Sequence, residues 1–182
     1  MFKNSEDKKY ITRTLKLEKI NNAFHDDMIK ILNLYYNSFP ENELVDFSNF
    51  FFSSINGDVL SFYDNNKFIG FAAIITNNNI TNILYFAIEP DQRSKGYGTQ
   101  SLKQICDYFK NNKIILDVED PNGSYNEAEY GRRQKRIQFY IKAGFRLTDI
   151  KYNWCNEYYI IMINNEAKIT ESEFWEFWKT RK

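Results

Sequence analysis

Histidine is almost missing from this chain, which holds one, and cysteine and proline are scarce, at two and three in 182 residues. No group of His, Cys, Asp and Glu has metal-ligand spacing, so no metal is implied. Cys106 and Cys155 lie far apart, and Cys106 falls on an apolar stripe, so free thiols in a reducing compartment fit best. An excess of one charge sign is absent too. Basic and acidic residues number 24 each, which leaves no global field to recruit nucleic acid or an anionic membrane. The longest apolar run, "FIGFAAII", is far too short to span a bilayer. The opening "MFKNSEDKK" is charged and lacks the apolar centre of a secretory signal. These absences lead to the expectation of a soluble, cytoplasmic protein. Aromatic residues, in contrast, are plentiful, and the chain is long enough to bury a sizeable core as one domain.

Elements alternate along the chain. Tyr10–Leu17 alternates branched or aromatic with polar residues, as a strand does. Met28, Ile31, Leu32 and Tyr35 then recur at helical spacing behind Asp26 and Asp27, and Pro40 stops that helix. "ENELVDFSNFFFSS" suggests a second helix through Leu44, Phe47 and Phe51. "DVLSFYD", "FIGFAAIIT" and "ITNILYFAIEP" are separated by "NNK" and "NNN", which predicts three antiparallel strands in a row. A helix with the stripe Leu102, Ile105, Cys106 and Phe109 follows, then a strand over Lys113–Glu119. A polar loop, "DPNGSYNEAEYG", precedes a basic helix, "RRQKRIQFYIKA", stopped by Gly144. A last hairpin turns near Cys155. No repeat, low-complexity tract or linker interrupts the sequence. The reading is a mixed α+β domain with a mostly antiparallel central sheet flanked by helices.

Between the third strand of that run and the Leu102 helix lies "RSKGYG", Arg93 to Gly98. Glycine is a poorer helix start than Ser, Thr, Asn or Asp, so two glycines there suggest that backbone N–H groups must come close to a ligand. A helix N-terminus with bare amides beside Arg93 and Lys95 suits a phosphate group. An ordinary glycine-rich turn is the plain alternative. No G-x-x-x-x-G-K-[ST] loop occurs, and the dinucleotide pattern fails because Ser101 occupies its third glycine position.

The strand "YFAIEP" followed by "RSKGYG", and "KRIQFYIKAGF" about forty residues later, resembles the GNAT (GCN5-related) N-acetyltransferase superfamily. The order of elements agrees over nearly the whole chain. The resemblance implies a GNAT-like acyl-CoA N-acyltransferase fold over residues 1–182, and acetyl transfer from acetyl-CoA to a primary amine of a small molecule or peptide by direct attack. Acetyl-CoA would be the acyl donor, its pyrophosphate held by Arg93, Ser94, Lys95, Gly96, Tyr97, Gly98 and Thr99. An N–H near a bulge of the preceding strand, at Ala87 or Ile88, would receive the carbonyl oxygen as it gains charge. Tyr140 would protonate the leaving thiolate, although Ile137, Tyr140 and Ile141 also form a core stripe. Glu119, at the end of its strand, is the candidate base, with a solvated strand-end carboxylate as the plain reading. Asp117 shares its face, Glu89 has a similar case, and His25 reads as a solvated cap or a substrate-side contact rather than a base. An acyl-CoA-binding interaction module without catalysis is the alternative function.

Acceptor choice would come from the first two helices, the "DPNGSYNEAEYG" loop and the last hairpin, where Glu41, Glu43, Asp120, Glu127 and Glu129 suit an amine. The run "RRQKR" reads as a solvated helix face, with no nucleic-acid partner. At the C-terminus, about residues 169–181, Thr170 and Glu173 form a capping-box pattern on an appended helix. Its Phe174, Phe177 and Trp178 share one face that Trp175 broadens. That face must dock either on the chain's own sheet or on a partner subunit, so monomer and homodimer both stay open.

Overall fold

Asparagine decides how the first strands meet. In the computed structural model, which describes residues 15–52, 56–164 and 167–179, β1 (Leu15–Ile20) pairs with β2 (Gly57–Asp64). The strand expected from Tyr10 thus begins outside the described residues. Asn65 and Asn66, at φ 48° and 63°, turn β2 into β3 (Lys67–Asn77), and Asn78, at φ 52°, helps turn β3 into β4 (Ile80–Ile88). Asparagine tolerates this left-handed region better than other side chains, and two such residues in succession match the twist of a hairpin. β5 (Lys113–Glu119) runs parallel to β4, and β6 (Phe145–Trp154) and β7 (Glu157–Asn164) close the far edge. The seven-stranded order is β1-β2-β3-β4-β5-β7-β6, antiparallel except at β4–β5.

Five α-helices among the described residues cover the sheet. On one face α1 (Met28–Ser38), α2 (Asn49–Phe52) and α5 (Glu171–Lys179) bury Ile31, Tyr35, Phe50, Phe174 and Phe177. On the other, α3 (Tyr97–Tyr108) and α4 (Glu127–Lys142) bury Leu102, Ile105 and Ile137. The capping box of α5 is present: the Thr170 N–H donates to Glu173 Oε2 at 2.8 Å and the Glu173 N–H to Thr170 Oγ1 at 3.2 Å. Phe174 and Phe177 of α5 bury in the chain's own core with Trp178 packed beside them, while Trp175 stays exposed.

Two helices differ from expectation. The one expected through Leu44, Phe47 and Phe51 is only a 3-10 turn at Glu41–Glu43 and the short α2. The buried Tyr35 hydroxyl explains this. It accepts from the Val45 N–H at 2.9 Å and donates to the Val45 carbonyl at 3.0 Å, satisfying backbone groups that a helix would otherwise pair. Conversely, α4 starts within the expected loop, because Asn126 caps it by accepting from the Glu129 N–H at 2.8 Å.

Candidate active site

The site arises where two parallel strands part. β4 and β5 pair from Ile80–Lys113 to Ile83–Leu116 and no further. At that point β4 carries a bulge: Ile74 pairs with Ile83 and Ala73 with Tyr85, so Leu84 is the extra residue. Beyond it β4 stays with β3 and β5 stays with β7 through Glu119, which opens a wedge. The bulge is therefore at Leu84, not beside Ala87 or Ile88 as expected. The Glu89 N–H donates to the Ile69 carbonyl at 2.8 Å, and antiparallel alternation then turns the backbone of Ala87 toward β3 and that of Phe86 and Ile88 into the wedge. Of the two residues expected to offer an N–H, Ile88 is the one so directed.

The glycine loop closes one end of the wedge. Ser94 and Gly96 take φ of 60° and 85°, and Gly96 caps α3. The first amides of α3 have no partner within the helix and face outward with the dipole's positive end. Gly98 is needed for close packing, since a Cβ there would lie 3.0 Å from the Phe139 ring of α4. Arg93 Nε donates to the Ile88 carbonyl at 2.9 Å, tying loop to strand end. Tyr97 is buried, its hydroxyl donating to Asp64, so its side chain anchors α3 in the core. Ser94, Lys95, Gly96 and Thr99 are exposed around the helix start.

A cleft of about 1300 Å³ runs through the wedge and joins the two faces of the sheet. Ile88, Arg93, Gly98, Phe139 and Tyr140 line it on the α3–α4 side, and Glu43, Val45, Trp154 and Trp175 on the other. Tyr140 packs 5.0 Å from Phe139 and 6.2 Å from Phe145, ring to ring, so its expected stripe is partly real. Its hydroxyl, however, bonds to no described residue. Burial pushes it up to about 12, with nearby Arg136 opposing, which keeps it protonated at neutral pH.

Three carboxylates meet there. Glu119 lines the cleft as expected, but its Oε2 is in an ion pair with Arg136 Nη1. Asp117 accepts the Tyr152 hydroxyl on Oδ2, and burial pushes its carboxyl up to about 6, helped by the charges of Glu43 and Glu119. Glu43 accepts the Tyr159 hydroxyl at 2.7 Å, and burial raises it as well. The Tyr85 hydroxyl donates to the Glu43 carbonyl at 2.6 Å and holds the 3-10 turn over the wedge.

Of the other expected acidic residues, Glu129 alone lines the cleft. Glu129 and Asp120 are engaged by Arg133 and Lys151 at 2.7 and 2.8 Å, and Glu41, Glu89 and Glu127 do not line the cleft. His25 is outside it, and its Nδ1 accepts from the Asp27 N–H at 3.2 Å. Nor is "RRQKR" a uniformly solvated face. Arg133 is buried, pairs with Glu129 one turn earlier in α4, and ties the helix to Glu157 and to the Asp120 carbonyl. Among the described residues, no His, Cys, Asp and Glu group could hold a metal, and no helix is long and apolar enough to cross a membrane.

The family model for the acetyltransferase (GNAT) family matches residues 25–145, more than half of the chain. The chain belongs to that family. It is thereby grouped with acyltransferases, and its sheet with a single parallel pair is the GNAT fold. A GNAT-family protein from Bacteroides thetaiotaomicron is 22% identical, covers 88% of this chain and 92% of its own, and superposes with a TM-score of 0.72. An aminoglycoside 6'-N-acetyltransferase solved with coenzyme A is 16% identical, covering 86% and 99%, with a TM-score of 0.62. A Bacillus subtilis acetyltransferase, also with CoA, is 15% identical, covering 85% and 100%, with a TM-score of 0.59. These similarities concern the fold. A comparison with curated proteins found no match.

Proposed function

We propose that this GNAT chain works as one domain and moves an acetyl group from acetyl-CoA to an amine by direct attack. The observation that carries the reading is the wedge beyond Ile83 and Leu116, where the Ile88 N–H turned away from β3, the start of α3 and the Tyr140 hydroxyl lie around one cleft. Acetyl-CoA supplies a thioester carbonyl and a thiolate leaving group. The α3 amides from Gly96 to Thr99 hold its pyrophosphate, and the free edge of β4 pairs with its pantetheine arm. The Ile88 N–H donates to the carbonyl oxygen as charge gathers there.

Asp117 is the better base. Glu119 has one oxygen engaged by a guanidinium, whereas Asp117 is raised to about 6 and so is ionised, yet proton-accepting, at neutral pH. The bound ammonium first gives a proton to Asp117; the free amine then attacks, the C–N bond forms as the C–S bond breaks, Tyr140 gives its proton to sulfur, and the second proton leaving nitrogen restores the Tyr140 hydroxyl. Release of coenzyme A thiol, measured over a panel of amines, tests this. Turnover that is lost in Tyr140→Phe and Asp117→Asn supports the assignment. Acetyl-CoA binding with no thiol release from any amine would leave the non-catalytic module instead.

A further inference from the structure

The half of the cleft on the α1–α5 side has a chemistry of its own. Aromatic rings come from separate parts of the chain: Phe39 after α1, Tyr85 on β4, Tyr152 and Trp154 on β6, and Trp175 on α5. Tyr152 and Tyr159 stack at 5.4 Å and 21°, and each donates its hydroxyl to one carboxylate, Asp117 and Glu43 respectively. Trp175 meets the Tyr152 ring edge-on at 6.3 Å and keeps 39% of its surface exposed. The matched family segment ends at residue 145, so this wall is built largely by chain beyond it.

Resting on the acetyltransferase reading, we infer that the acceptor is a primary amine carried on an aromatic body, its ammonium held between Asp117 and Glu43 and its ring against Tyr152 and Trp175. The charge count argues for one ammonium. Arg136 already pairs with Glu119, which leaves Asp117 and Glu43, each raised by burial, with repulsion from the Glu43 charge raising Asp117 further. A single cation relieves that repulsion. A polyamine would bring charges for which these aromatic walls have no counter-ions. A flat ring, by contrast, gains edge and face contacts with side chains already fixed in place.

Calorimetric titration of 2-phenylethylamine, methylamine and spermidine into the protein saturated with coenzyme A tests the inference without relying on turnover. The aromatic amine should bind at least about tenfold tighter than either of the others. Trp175→Ala should cut the ratio of 2-phenylethylamine to methylamine affinity by about tenfold, a ratio that general damage to the fold would not move. Equal or tighter binding of spermidine, or an unchanged ratio in Trp175→Ala, overturns it. Absence of thiol release alongside the expected binding order would instead fault the catalytic reading.

Discussion

Asp117→Asn separates charge from shape in the wedge. The side chain keeps its size, and its carbonyl oxygen can still accept the Tyr152 hydroxyl. What goes is a carboxylate whose pKa is moved from 3.8 to about 6 by burial first and by Glu43 and Glu119 after it. At about 1.4 kcal/mol per unit, an ionised Asp117 costs the folded state up to about 3 kcal/mol, and water in the cleft lowers this to about 1–3. The folded form binds the proton more tightly than the unfolded one, so wild-type stability should fall as pH rises from about 4 through about 6. Denaturant unfolding of both proteins should therefore show the Asn variant more stable by about 1–3 kcal/mol near pH 8, with the gain vanishing below about pH 4. Activity should move the other way. kcat/KM should drop by about 10²–10⁴-fold, and the wild-type acid limb near 6 should disappear. An Asn variant whose advantage over wild type does not grow as pH rises, or one that keeps the acid limb, would refute the reasoning.

Tyr140→Phe removes only a hydroxyl without a partner among the described residues, so melting should hardly change while turnover falls about 10²-fold; full turnover would reduce Tyr140 to packing. Gly96→Val puts a β-branched residue at φ 85°, where nothing lies within 4 Å of a Cβ. The strain should cost about 1–2 kcal/mol in unfolding, and calorimetry should show acetyl-CoA affinity lost, whereas unchanged affinity would remove the donor site from this loop. Phe174→Ala empties a fully buried position under α5 and should cost about 3–5 kcal/mol; a change of solution mass in its place would point to an interface.

Much of this fold was legible in local patterns. The Asn turns, the strand Lys113–Glu119, the α3 stripe and the Thr170–Glu173 cap are set by residues within a few positions of one another, and periodicity and capping report on that range. The Arg93–Gly98 loop was readable for the same reason. Sequence could also name Tyr140 and Glu119 as candidates, through a resemblance, without saying what surrounds them. An Asp in the apolar run "IILDVE" was the one local sign of Asp117, and it carried no information on which carboxylate would stay out of an ion pair. Only the folded chain decided that Leu84 bulges, that β4 and β5 part after Ile83 and Leu116, that Arg136 occupies Glu119, and that Glu43 arrives opposite Asp117. Tyr35 likewise cut short the expected second helix from across the core. Each of these depends on partners distant in sequence, because burial and charge pairing are set by what packs against a side chain, while propensity reflects only its neighbours in the chain.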